Sequence, residues 1–518
     1  MAIEVVDTTL GPVEGTLGER VHVFKGIPFA APPVGPLRFK PPQPPAPWTE
    51  AKPVHEYGPA APQPRDLVLE QMFGHAPFPT SEASCLTLNV WTPQQGAENR
   101  PVMVWLHGGA FLTGSGRDPV FDGSRLASLH DVVVVTVNYR LGALGFLYLG
   151  ELLGDEYASS GNVGLLDQIA ALRWVRDNIA AFGGDPGNVT LFGQSAGAMS
   201  VLSLMAMPAA QGLFHKAIAQ SGSAECTHTR ERATAVARDV LAALALPEHE
   251  AHRLLDLPVA TLLYAQQSVV EVMRQRGDAL GLPFAPVVDG PTLPRAPLEA
   301  FTSGAASPVP LIAGTTLEEG RLFLVGPESP NVDDAAVTAL FDTEFDKPEE
   351  ALEAFRGVQP DTSPMGLLAA LMGERMFRAP TARLLEAHAA RTSQVWTYLF
   401  SWRSSARGGQ LGACHSLDLP FVFDNLHAGG VDRFTGKDAP QRLADALSSA
   451  WASFAHHGHP GVPWPAFDTA HRATMVFDVT SRMVRDPWND VRLLTDSSWR
   501  PPSCESDGCR GFLSCSSG

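Results

Sequence analysis

Residues 189–207, VTLFGQSAGAMSVLSLMAM, constrain the fold more tightly than any other part of the chain. Val189, Thr190, Leu191 and Phe192 read as a buried strand, and the residues from Ala198 to Met207 read as a helix that Pro208 ends. Ser195 stands at the junction between Gly193 and Gly197. Glycine on both sides lets the chain turn sharply and lets neighbouring backbone approach, which lifts the serine hydroxyl from the sheet edge into a pocket. Ser195 is therefore a candidate nucleophile for acyl transfer. The bare G-x-S-x-G string also occurs by chance, and a serine before a helix is an ordinary N-cap, so the surrounding sequence has to decide.

Upstream, Leu165, Ile169, Leu172, Val175 and Ile179 recur at helical spacing between a possible cap at Asn162 and the stop signal Gly183–Gly184. Helix, tight GGDPGN connection, strand, serine and helix make the alternation of a parallel sheet covered on both faces. Further strands are predicted at Ile3–Val6, Val21–Phe24, Leu86–Trp91, Val102–Leu106, Val132–Val137, Ala217–Gln220, Pro310–Ala313 and Val395–Phe400. Helical segments are predicted within 230–275 and 363–391. In the run GIPFAAPPVGPLRFKPPQPPAPW the prolines remove backbone donors and favour extended conformations, so it should lie across the surface outside the central sheet.

With 518 residues and 45% hydrophobic content the chain can bury a large core. Its 38 basic against 55 acidic residues give a net charge of −17, which argues against a nucleic-acid surface. No stretch approaches the ~20 apolar residues of a membrane span, and VVVVTV at 132–137 fits a central strand. The N-terminus lacks a basic segment followed by an apolar one, so a cytoplasmic protein is expected. Cys85, Cys226 and Cys414 stand alone, whereas Cys504, Cys509 and Cys515 crowd a polar tail whose spacing lacks the paired knuckles of common zinc sites. The HHGH run at 456–459 has the composition of a metal box but is expected to be a solvated turn, and no metal site is predicted.

Several ordered blocks carry a resemblance: GIPFAAPPVGPLRF at 26–39, SEASCLTLNVWTP at 81–93, VWLHGGAF at 104–111, VNYRLGALGFL at 137–147, the serine segment, and LPFVFDNL at 419–426. Through them the chain resembles the type-B carboxylesterase/lipase family, which includes cholinesterases and bacterial para-nitrobenzyl esterases. The resemblance implies an α/β-hydrolase fold, a large mostly parallel sheet flanked by helices, over residues 1–498. Residues 499–518 are then a tail, disordered or an added extension. It also implies a cofactor-independent serine esterase acting on small to medium esters. Glu319 in GTTLEEGRLF matches the family acid and His415 in GACHSLDLPFVF the family histidine. Gly109 and Ala110 in HGGAF, with Ala196, match the backbone donors of the oxyanion hole. Three donors suit bulky esters.

By residue chemistry alone Glu318 is a rival acid, and the acid-glycine pattern selects Glu319. Two departures stand out. Gln194 is neutral where the family usually has glutamate, which keeps hydrogen-bonding capacity and should leave triad chemistry intact. Eukaryotic members of the family close a loop by a disulfide through the cysteine that Cys85 matches, and no cysteine precedes Cys85 here, so the resemblance implies that Arg65–Thr80, with Leu67, Leu69, Met72, Phe73 and Phe78, is an uncrosslinked apolar loop near the site, either a mobile lip or core cover. The rival functions are a specialised carbamate, phthalate-diester or pyrethroid hydrolase using the same triad, and a non-catalytic relative of the neuroligin type. Oligomeric state is not readable.

Overall fold

The computed structural model describes residues 3–500 except 19, 66–69, 71–73, 75, 95–97, 276–281 and 327–328. The cysteine-containing tail and most of the apolar residues of the 65–80 loop lie outside the described residues.

Seven strands pair in parallel around the serine junction: β5 (Thr87–Pro93) borders them on one side, and the parallel set follows as β7 (Val133–Val137), β6 (Arg100–Leu106), β8 (Gly184–Gln194), β9 (Lys216–Gln220), β12 (Leu311–Thr316), β13 (Val395–Phe400) and β14 (Ala473–Phe477). Antiparallel strands extend both edges. β1 (Ile3–Thr8), β2 (Gly11–Leu17) and β3 (Val21–Pro28) lead into β5, and β15 (Arg482–Arg485) closes the other end. β4 (Lys52–Pro53) pairs with β2, and β10 (His228–Thr229) with β11 (Val287–Val288) forms a separate ribbon.

The central strands are buried on both faces because their side chains alternate between two cores. Val102, Val104 and Leu106 of β6 join the cluster under helices Val163–Asn178, Ala196–Ala206 and Ala379–Ala389. Met103 and Trp105 face the opposite cluster, which is closed by helix Gln441–His457 and the segment 417–434. This is the α/β-hydrolase arrangement that the resemblance implied.

The strand and helix expectations hold in place but not at their edges. The helix behind the serine starts at Ala196, two residues early. Asn162 precedes helix Val163–Asn178 without capping it, because its Oδ1 accepts instead from the Val287 N–H at 2.8 Å while its amide donates to the Val287 carbonyl at 2.7 Å, which clips the small ribbon to the helix start. The expected helix within 363–391 is observed, with a π-helical turn at Glu374–Arg378 between its two α-helical parts. The proline-rich run leaves the central sheet after β3, but contrary to expectation it is not confined to the surface: Gly26, Ile27 and Pro28 end β3, and Phe29, Ala30 and Phe39 are apolar side chains buried in the core. Among the described residues no helix is long and apolar enough to cross a membrane.

Candidate active site

Ser195 has φ 55° and ψ −126°, a backbone conformation that costs on the order of 1–3 kcal/mol in a residue with a side chain. The packing around it holds that conformation. Its N–H donates to the Gln220 carbonyl at the end of β9 (2.9 Å), and its carbonyl accepts from Met199 in the following helix (2.9 Å). Gly197 shows why the glycine is needed: a Cβ there would lie 2.0 Å from the Leu106 carbonyl oxygen. The turn thus presses against the end of β6, and the serine is pushed up at the carboxyl edge of the sheet, where α/β folds bind ligands.

From that same end of β6 runs the HGGAF loop. His107 is fully buried, stacks on Tyr139 at 4.5 Å and accepts the Tyr139 hydroxyl on its own carbonyl at 2.7 Å. Burial pushes its imidazole down to about 4, against a smaller opposing effect of the Gly108 carbonyl, so it is a neutral prop for the loop. Gly109, Ala110 and Phe111 follow at φ 113°, 55° and 59°. Among the described residues, the N–H groups of Gly109, Ala110 and Ala196 donate to no protein acceptor. Ala196 also opens its helix, where the dipole favours negative charge.

Glu319 follows β12 and is 0% exposed. One carboxylate oxygen, Oε1, accepts from Ser221 Oγ (2.6 Å) and the Thr316 N–H (2.7 Å). The other, Oε2, accepts from His415 Nδ1 at 2.5 Å. Burial alone would raise this carboxyl group, but the charge and hydrogen bond of His415, with those of Ser221 and Thr316, outweigh it and hold Glu319 below the usual carboxylate range. A carboxylate only accepts, so Nδ1 carries a proton in either charge state of the ring, and in the neutral imidazole Nε2 is the acceptor.

His415 is 3% exposed and lies face to face with Phe377 (4.6 Å), while Phe323 tilts against it at 5.3 Å. Its Nε2 receives the side-chain amide of Gln194 at 2.9 Å. No hydrogen bond joins Ser195 Oγ to His415 among the described contacts. The structure therefore brings Glu319 and His415 into direct contact, and sets Gln194 on the nitrogen that a serine at position 195 would use. Glu318 does not touch the imidazole. It is buried against Arg321 and Arg403, so it is not the surface carboxylate that its sequence position allows.

Several residues of the site carry no sequence signal that pairs them with it. Ser221 directly follows β9, beside the serine strand at the carboxyl edge of the sheet, but nothing in the sequence ties it to Glu319. Phe377 sits in the π-helical turn. Asp418, three residues after His415, accepts from Gln220 Nε2 and Tyr398 OH, both at 2.9 Å, and burial pushes its carboxyl up to about 6. The HHGH run ends helix Gln441–His457, with Gly458 as a left-handed cap and His456 Nε2 bonded to the His130 carbonyl. Among the described residues no group of potential metal ligands is gathered. Phe78, described in the 65–80 loop, lies 5.7 Å from the Arg117 guanidinium.

A model of the carboxylesterase family matches residues 2–492. The chain is 40% identical to the para-nitrobenzyl esterase of Bacillus subtilis (strain 168), over 95% of this chain and 98% of that protein. It is 37% identical to the phenmedipham hydrolase of Pseudarthrobacter oxydans, over 93% and 97%. Among solved structures, a thermophilic para-nitrobenzyl esterase superposes with a TM-score of 0.83 at 39% identity, covering 95% of this chain and 99% of that one. The Geobacillus stearothermophilus carboxylesterase at pH 6.2 does so with 0.81 at 38% identity, covering 95% and 99%. With the family model spanning nearly the whole chain and relatives this similar end to end, the chain belongs to the carboxylesterase family and is a serine hydrolase of carboxylic esters.

Proposed function

We propose that the hydrolysis runs through an acyl-enzyme on Ser195, with His415 as the base, Glu319 as its orienting acid, and the amides of Gly109, Ala110 and Ala196 as the oxyanion hole, on esters of small to medium size. The single observation that carries this reading is the state of His415: Nδ1 is tied to a buried, ionised glutamate at 2.5 Å, and Nε2 faces the 194–195 turn as an acceptor.

In the first step Ser195 Oγ displaces the Gln194 amide from Nε2, a neutral hydrogen bond with a net worth of about 0.5–1.5 kcal/mol. Oγ attacks the ester carbonyl as Nε2 takes its proton, and the developing oxyanion meets three unoccupied N–H donors and a helix N-terminus. The imidazolium returns the proton to the leaving alcohol, while the Glu319 carboxylate stabilises its charge without taking the proton. Water then repeats the sequence on the acyl-enzyme. Phe323, 46% exposed beside His415, offers an apolar ring to one arm of the ester.

The test is a panel of para-nitrophenyl esters of graded acyl length, run beside one carbamate and one phthalate diester, on the parent, Ser195→Ala and His415→Ala. The proposal expects ester turnover that falls by ~10⁶ in kcat in either variant while circular dichroism is unchanged. Turnover preserved in folded Ser195→Ala would refute it. A cytoplasmic location forms part of the same proposal, supported by Cys85, Cys226 and Cys414 being free thiols, as a reducing compartment leaves them.

A further inference from the structure

We infer that Glu318 is a positioning residue for the reaction: its buried carboxylate grips the backbone of Ala413 and so fixes the loop that presents His415. The inference rests on His415 being the base proposed above. Glu318 and Glu319 are neighbours just beyond β12, and they hold the same histidine in different ways. Glu319 takes the ring. Glu318 takes the chain two residues before it.

The grip is reciprocal. Glu318 Oε2 accepts the Ala413 N–H at 2.8 Å, and the Glu318 N–H donates to the Ala413 carbonyl at 2.9 Å. The His415 N–H adds a longer bond to the Glu319 carbonyl at 3.4 Å. Gly412 lets the two segments come this close, since it has φ 54° and a Cβ on it would lie 2.3 Å from Glu318 Oε2. On the other side of the carboxylate, Arg321 Nε donates to Oε1 at 2.6 Å, while Arg403 donates to Oε2 through Nε at 2.8 Å and to Oε1 through Nη2 at 3.2 Å. Both arginine-bearing segments also touch the loop directly. Arg321 Nη1 reaches the Gln410 carbonyl at 3.2 Å, and the Ser404 N–H donates to the Gly412 carbonyl at 3.0 Å. The loop from 410 to 413 is thus clamped from two sides with Glu318, 3% exposed, at the centre.

A buried carboxylate between two guanidiniums is weak evidence for stability, because the cost of taking the charges out of water largely cancels their attraction. Geometry is where such a cluster matters. A catalytic group displaced by ~1 Å can lose ~10²-fold in rate. Apart from Glu319 and the Phe377 ring, the His415 side chain meets chiefly Phe323, itself half exposed, and the donor Gln194. The loop backbone therefore shares with Glu319 and Phe377 the work of holding the imidazole in register.

Glu318→Gln tests this. Each carboxylate oxygen serves two donors, so an amide nitrogen in place of either one leaves two of them facing a donor. Steady-state rates on para-nitrophenyl acetate would be measured at 15 °C, with the unfolding temperature recorded separately. A positioning role predicts a fall in kcat of ~10–100-fold with KM within about threefold in the folded variant. A purely structural role would lower the unfolding temperature and leave kcat at 15 °C within twofold of the parent, and that result overturns the inference. Should Glu318→Gln not fold, Arg403→Met decides, since Arg403 is 41% exposed and its loss opens no core: a fall in kcat of more than twofold at unchanged KM supports the inference, and a smaller one overturns it. His415→Ala is run alongside. If it is inactive while Glu318→Gln is fully active, only this inference falls; if it keeps its rate, the assignment of the base falls too.

Discussion

Replacing Glu319 by glutamine keeps the size of the side chain and removes its charge, and the hydrogen bonds around it dictate the response of the site. Ser221 Oγ and the Thr316 N–H both donate to Oε1, so the amide oxygen of the glutamine stays there and its NH₂ is left against His415 Nδ1. Two donors cannot share that contact. The imidazole must move its proton to Nε2, where Gln194 can turn its own amide to accept it. The wrong tautomer is then satisfied at both nitrogens, and Nε2 can no longer take the serine proton. The equivalent change in a serine protease triad costs ~10⁴ in kcat, about 5.5 kcal/mol at roughly 1.4 kcal/mol per decade. Ser221→Ala is the control: it removes one hydrogen bond to a charged group, worth about 1.5–3 kcal/mol, and should cost no more than ~10–100-fold. Purified variants would be checked by near-UV circular dichroism and assayed for kcat on para-nitrophenyl acetate. A Glu319→Gln rate within tenfold of the parent, or one higher than that of Ser221→Ala, would refute the reasoning.

Gly197→Ala should destabilise the protein by about 1–3 kcal/mol or more in urea unfolding, because the added Cβ would sit 2.0 Å from the Leu106 carbonyl; an unchanged midpoint would show that the turn is not wedged against β6. Gln194→Met frees His415 Nε2 at the loss of one neutral hydrogen bond, so kcat should stay within tenfold of the parent, and a thousandfold fall would mean that the amide takes part in the chemistry. Asp418 binds its proton up to about pH 6 in the folded protein against an ordinary value of 3.8, so stability falls as pH rises between those values, by about 3 kcal/mol in total, and stays reduced above them. Asp418→Asn lacks this term, so its unfolding midpoint should gain on the parent between pH 4 and pH 7.5; a gap independent of pH would contradict the raised carboxyl.

Local rules made part of this site readable. Ser195 announces itself because strand, glycine, serine, glycine and helix are contiguous, and the backbone strain they permit is found there. The HGGAF loop is legible for the same reason, as a glycine pair at the end of β6. Choosing Glu319 over Glu318 was beyond residue chemistry, since both are buried carboxylates near the histidine loop and only the fold turns one to the ring and the other to the backbone. Ser221, Phe377 and Asp418 come to the site from the end of β9, a π-helical turn and the segment after His415, and no periodicity encodes such contacts. Asn162 has the composition of a cap yet spends its side chain on Val287 and Asp289, a tertiary preference overriding a local one. At one end of the sheet the sequence offers no reading of β14, although it is buried and as long as β7 and β9, or of β15, four residues of which two are exposed.

The central claim is that Ser195 forms a covalent bond with the substrate carbonyl. Diethyl para-nitrophenyl phosphate tests it directly, because attack by the nucleophile expels para-nitrophenol and leaves a diethylphosphoryl group that hydrolyses slowly. The released para-nitrophenol would be counted by absorbance and the adduct located by mass spectrometry of a protease digest. The account predicts close to one equivalent released per chain, activity lost in step, the added mass on Ser195, and neither release nor adduct in Ser195→Ala. An adduct on any other residue, or inactivation of Ser195→Ala at the parent rate, would contradict it.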